Sequence, residues 1–280
     1  MAINPESDFP WLDEHAKAAI KDLYWNVVFN EIDAIFVITG RERFGKSMLS
    51  MVIWAYLDYL REGWGLNATI DIDNKIALVP EDYANLIDKA EGLPGDVVCY
   101  DEAGTGMYNR ESMSKGNRDL NKILMTCGYK NLVHLLTLPN FFALDKEVRS
   151  RRVAALFVVT AHPRKCKFEG DGQVYTKLEK GWFRAYSAKD VQYIKKDSHT
   201  SRVHYPRTPQ GNLRFKSLVG TELWAKYKAF SNKHKREYIR GVTRGIVRAR
   251  LKKRSKDASS GVPMLDEFDE ELELIEGNTI

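Results

Sequence analysis

Cysteine is scarce. Cys99, Cys127 and Cys166 are the only three in 280 residues, and they lie far apart. This odd, scattered set excludes a disulfide framework and any C-x-x-C metal knuckle, and it suits a reducing compartment. Long apolar runs are also missing. None approaches the roughly 18 residues that a membrane helix needs, and the first residues carry acids instead of a basic flank and an apolar core. We therefore expect no membrane span, no secretion and a cytoplasmic location. His199 and His204 are too isolated for a metal site, no internal repeat is visible, and no N-K-x-D guanine-reading string occurs, since Asn121-Lys-Ile-Leu124 lacks the final acid.

The apolar share of 44% is ordinary for a globular protein and permits a large core. The strongest local signal is G-x-x-x-x-G-K-S, spelled by Gly40, Arg41, Glu42, Arg43, Phe44, Gly45, Lys46 and Ser47 and followed by Met48. It comes directly after the apolar run 34–38, which predicts a buried strand, and before 48–60, which predicts a helix. Strand, glycine-rich loop and helix in this order make a P-loop. The glycines let the backbone wrap phosphates and turn peptide N–H groups and the helix N-terminus towards the anion. Lys46 is then placed to reach the β- and γ-phosphates of ATP, and the Ser47 hydroxyl to hold Mg²⁺.

A second motif runs from Asp96 through a short apolar strand to Asp101 and Glu102. It reads as a Walker B, with Asp101 on the magnesium water shell and Glu102 polarising the attacking water. Around these motifs the pattern predicts a helix over 10–30, a strand over 68–72 and a helix over 81–89 after Pro80. Beyond them it predicts a loop over 104–117, a helix over 119–127, a strand over 132–138, a helix over 144–152 and a strand over 154–160. Residues 173–178 and 182–187, parted by Glu179-Lys-Gly181, predict a hairpin. Alternating strands and helices argue for a mostly parallel sheet covered on both faces. The expected organisation is an N-terminal helical segment (1–31), a P-loop core (32–190), an extension with a basic helix (191–256) and an acidic tail (257–280).

The order of P-loop, Asp-Glu Walker B, loop, helix, apolar strand and Leu144-Asp-Lys-Glu-Val-Arg149 resembles the FtsK/HerA superfamily of DNA-pumping ATPases. Within it the sequence is most similar to the zonula-occludens-toxin-like ATPases of phages and mobile elements, over roughly residues 34–160. The resemblance implies a RecA-like α/β P-loop NTPase that hydrolyses ATP as a homo-oligomeric, hexameric ring; the C-terminal hairpin and the basic helical extension lie beyond it and are read from the residues themselves. It also implies a viral or mobile-element source, and so a host cytoplasm if viral. The family's sensor strand usually ends in Thr-Gln; here it ends in Thr137-Leu-Pro-Asn140, which makes Asn140 the substitute sensor. An arginine delivered from a neighbouring subunit would complete the site, with Arg149 matching the family position best and Arg151 and Arg152 beside it.

Charge is unevenly spread. Between Asn232 and Lys256 there are eleven Lys or Arg and one acid, Glu237, whereas 265–276 carries seven acids and no base. Arg236, Arg240, Arg244, Arg248 and Lys252 recur every four residues and form one basic stripe on a helix. Such a stripe neutralises phosphates without reading bases, which points to nucleic acid, double-stranded DNA first. The acidic tail suits a protein partner or a mimic of DNA. Besides a DNA motor, three classes remain open: a nucleotide-gated assembly factor, a small-molecule kinase, and a GTPase switch, since Asp101-Glu-Ala-Gly104 also fits D-x-x-G.

Overall fold

The short, uniformly apolar runs are suited to strands buried on both faces, and they form the middle of one sheet. The computed structural model describes residues 9–91, 93–101, 115–167, 174–197, 202–208 and 210–257, with backbone alone for 115–120, 238, 242 and 244–257. In chain order the elements are α1 (Glu14–Asn30), β1 (Ala34–Gly40), α2 (Lys46–Gly63), α3 (Ile72–Lys75), β2 (Ile76–Ala77), α4 (Pro80–Lys89) and β3 (Val97–Tyr100). There follow α5 (Lys115–Thr126), β4 (Val133–Leu138), α6 (Lys146–Arg151), β5 (Val153–Lys167), β6 (Val174–Ser187) and α7 (Ala188–Val191). The last are β7 (Lys195–Lys196), β8 (Val203–His204), β9 (Leu213–Arg214) and α8 (Glu222–Asp257). The chain divides into two units, Met1–Tyr227 and Lys228–Ile280. The first holds the sheet; the described part of the second is the rest of α8.

Among the described residues, seven strands form the sheet in the order β2-β3-β4-β1-β5-β6-β9. Those from β2 to β5 are mutually parallel; at one edge β6 pairs antiparallel with β5, and β9 pairs antiparallel with β6. Successive side chains of a strand point to opposite faces. Ile35 and Val37 accordingly join one apolar cluster with Val98, Leu136, Leu156 and Val158, while Phe36 meets Phe157 edge-on.

The turn before β3 is held by a buried polar knot. Tyr24 on α1 donates to the Gly95 carbonyl (2.8 Å), and Arg61 on α2 donates to Tyr24 Oη (3.2 Å) and to the Pro94 carbonyl (3.1 Å). Burial pushes the Tyr24 phenol up to about 12, so it stays a donor. α1 thus packs on the core and anchors the strand that carries Asp101.

Two expectations are corrected. Residues 68–72 do not form a strand: the Asp58 carboxylate on α2 takes the Thr69 and Ile70 amides (2.8 and 2.7 Å), and the sheet edge is built later by β2. The predicted hairpin is a single strand, β6, that pairs with β5 from Ala155 to Lys167. Glu179-Lys-Gly181 is a bulge inside it. Gly181 has φ 93°, and a Cβ there would lie 2.7 Å from the Phe215 carbonyl oxygen, where β9 closes on β6.

At the opposite end of the sheet from the P-loop, Asp33, Cys127 and His134 bring ligand-type atoms within 4.8 Å of one another. The Arg152 guanidinium bonds Asp33 and the Leu124 carbonyl, and a fixed cation there opposes a metal. His134 bonds Tyr83 Oη (2.7 Å) and is held neutral by burial, its pKa lowered to about 3. An unfolded histidine titrates near 6.5. Between those values the unfolded chain binds the extra proton, so stability should fall as pH drops below about 6.5, by at most about 1.4 kcal/mol per pH unit. Urea midpoints from pH 7.5 to 5 should show this slope in the wild type and a flatter one in His134→Gln.

Candidate functional site

After β1 the chain must leave the sheet, arch over its end and enter α2 within residues 41–45. Gly40 (φ 145°), Arg43 (φ 64°) and Gly45 (φ 107°) supply the positive φ values that make the arch. A Cβ on Gly40 would lie 2.6 Å from the Val159 carbonyl oxygen of β5, so only glycine fits there. Gly45 caps α2 without a side-chain hydrogen bond, which leaves the capping of the first-turn amides to a ligand. Arg41, Glu42 and Arg43 are exposed, Phe44 is half-buried and Met48 is buried. Lys46 Nζ donates to the carbonyls of Gly40 (3.1 Å) and Arg41 (3.3 Å), so its ammonium sits inside the loop.

Parallel strands deliver their C-terminal ends to one edge, and the register decides what meets there. Tyr100 of β3 pairs with Leu136 of β4, so Asp101 follows beside Thr137. Thr137 Oγ1 donates to Asp101 Oδ1 at 2.5 Å, and Ser47 Oγ lies 3.0 Å from both Asp101 oxygens. A third hydroxyl, from Tyr227 on α8, donates to Asp101 Oδ2. Asp101 is buried, at 1% exposure. Cys99, two residues earlier, is buried too, and burial together with the Asp101 charge raises its thiol, so it behaves as a small core residue.

β4 stands between the strand that bears the P-loop and the strand that bears the acid, with Thr137 reaching that acid. The chain has the RecA-like fold of a P-loop NTPase. Neither a family model nor a curated protein matches the sequence. Among solved structures, the chain is similar to the genome-packaging NTPase of Sulfolobus turreted icosahedral virus 2, in complex with AMPPCP. That match has 13% identity and a TM-score of 0.35, and it covers 63% of this chain and 98% of that one. It is also similar to the N-terminal domain of zonular occludens toxin from Neisseria meningitidis, at 14% identity and a TM-score of 0.31, covering 52% and 93%. The latter belongs to the group that the motifs resemble.

The NTPase fold places the other expected residues unequally. Asn140 Oδ1 accepts from the Phe142 amide (2.9 Å) and starts the 3-10 turn Phe141–Ala143. A contact from β4 to Asp101 is made by Thr137, whose signal in the sequence was a lone hydroxyl in an apolar strand. Arg149 is half-buried, donates Nε to the Leu144 carbonyl (3.0 Å) and stacks 4.5 Å from the Phe142 ring centre. Burial lowers its guanidinium from the ordinary value. Arg151 pairs with Glu147 at the surface (3.0 Å), and Arg152 is spent on Asp33. Glu102 lies outside the described residues. So do the side chains of Arg244, Arg248 and Lys252, while Arg236 and Arg240 are exposed on α8. The sequence predicts a helix from 221 to about 254 with interruptions at Gly241 and Gly245, and α8 instead runs unbroken across both.

Sequence reasoning missed a further layer. The segment ahead of α8 folds back on the P-loop: the Phe215 ring would touch a Cβ on Gly45 at 3.4 Å, and the Leu218 amide donates to Met48 Sδ at 3.2 Å. Thr221 Oγ1 accepts from the Trp224 amide (3.3 Å) and caps the start of α8. Tyr227 lies one turn on.

Proposed function

We propose that the chain is an ATP hydrolase that couples turnover to movement of nucleic acid, double-stranded DNA first, as a homo-oligomeric ring in viral packaging or mobile-element transfer. The observation that carries this proposal is the meeting of Ser47 and Asp101 beneath a P-loop whose helix start is uncapped. Hydroxyl, carboxylate and backbone amides are the donors that a magnesium nucleotide takes, and bound Mg²⁺ would neutralise charge developing on the phosphates. In this proposal the loop amides and Lys46 hold the phosphates, Ser47 and Asp101 orient the metal's shell, and Glu102 takes a proton from the attacking water. Arg149 enters the neighbouring subunit's site, as the resemblance implies, after leaving the Leu144 carbonyl and the Phe142 ring, whereas Arg152 is held by Asp33.

The α8 stripe is the proposed track contact. The protein should displace a third strand from a duplex in the presence of ATP and not with a non-hydrolysable analogue; no displacement at any salt would count against a motor. Changing Arg236 and Arg240 to Gln should flatten the slope of log affinity against log salt by about 1.8, the release of two phosphate contacts. An unchanged slope would remove the stripe from the interface. The bond from Tyr227 on α8 to Asp101 favours a second possibility, a nucleotide-gated assembly factor with slow turnover. DNA-independent, near-zero hydrolysis with tight nucleotide binding would select it.

A further inference from the structure

Asp101 offers about four lone-pair sites; three hydroxyls crowd them, and at 1% exposure the carboxylate has no open approach from solvent. Thr137 donates to Oδ1 (2.5 Å) and Tyr227 to Oδ2, while the single Ser47 proton, with Oγ 3.0 Å from both oxygens, is shared between them. A magnesium shell held by this carboxylate would donate from its waters to the same oxygens, and because they are closed off on all sides, one of the three hydroxyls would have to yield.

They are not equally free to do so. Ser47 can keep its proton on Asp101 while its own lone pair faces the metal, so its bond survives. Thr137 is set beside Asp101 by the β3–β4 ladder. Tyr227 alone comes from outside the sheet and P-loop. It is buried at 2% exposure, stacks on Trp224 (5.1 Å, 27° between planes), and follows the cap at Thr221.

We propose that Tyr227 is a positioning residue that acts as a latch: its hydroxyl takes the Asp101 lone pair that a magnesium-bound water requires, so metal–nucleotide loading and the Tyr227–Asp101 bond compete. This rests on the magnesium-nucleotide site proposed above. Because Tyr227 belongs to α8, which continues to Asp257, loading the site frees the first turns of the helix that bears the basic stripe. Conversely, a partner that draws α8 away unlatches Asp101 and favours loading, by reciprocity of linked equilibria.

The test measures binding of a fluorescent, slowly hydrolysed ATP analogue with excess Mg²⁺ and with EDTA, alongside hydrogen exchange of peptides covering 222–230. Tyr227→Phe keeps the ring and loses the hydroxyl. It should tighten binding about tenfold in Mg²⁺, on the scale of one hydrogen bond to a charged acceptor, and leave the EDTA affinity unchanged. Thr221→Ala, with Tyr227 intact and its helix cap removed, should shift binding in the same direction by about threefold, which guards against a packing artefact of the phenylalanine. In wild type, peptides 222–230 should exchange faster on adding Mg²⁺ and analogue; in Tyr227→Phe they should be fast without it. Unchanged or weaker binding in Mg²⁺, or an equal shift in both conditions, overturns the latch. Wild-type protein that binds no analogue in either condition refutes the nucleotide site itself, and the latch with it.

Discussion

Lys46→Ala should lose turnover by about a thousandfold or more and bind ATP too weakly to measure at micromolar protein. The ammonium lies inside the loop, 3.1 Å from the Gly40 carbonyl and 3.3 Å from that of Arg41, where phosphate oxygens would replace those carbonyls. Removing one preorganised donor to developing charge costs about 10²–10³ in rate, and here a full charge goes with it. The side chain is only half-buried, so the melting temperature should move little. Isothermal titration with ATP and a thermal melt check both halves. Retained ATP affinity in a folded variant would mean that the loop is a structural turn.

Asp101→Asn should erase the response to magnesium. The carboxylate is at 1% exposure beneath Ser47, Thr137 and Tyr227, all three placed to donate to it. An amide offers one accepting oxygen and turns an NH₂ towards hydroxyls that also donate, so the cluster loses partners as well as charge. Turnover should drop about a thousandfold and stability by about 1–3 kcal/mol, while nucleotide affinity in EDTA persists. Titrating Mg²⁺ against analogue binding separates the effects: wild type should tighten with the metal and the variant should not. A variant that still tightens would show that another group holds the ion.

The parts of this site that could be read in the chain were those with a local signature. Gly40 to Ser47 announces itself because a phosphate-wrapping loop needs glycines at fixed spacing, and Asp101 because an acid ends an apolar run. β4, α4 and the course of α8 were likewise legible from apolar or charged periodicity, whereas its continuity across Gly241 and Gly245 was not. Thr137 and Tyr227 were not. Their roles depend on register and on a chain return across more than a hundred residues, and neither leaves a trace in local spacing. β6 was misread for a related reason: Gly181 looks like a turn until the close approach of Phe215 shows that it is a bulge. Asn140 was selected by its place after a strand, and its side chain is bound to the local turn.

The measurement that bears most directly on the central claim is steady-state ATP hydrolysis with and without double-stranded DNA, single-stranded DNA and RNA, at low and moderate salt, with light scattering on the same samples. A nucleic-acid motor predicts strong stimulation by one polymer, double-stranded DNA first, in a multimer. Polymer-independent hydrolysis by a monomer would contradict it.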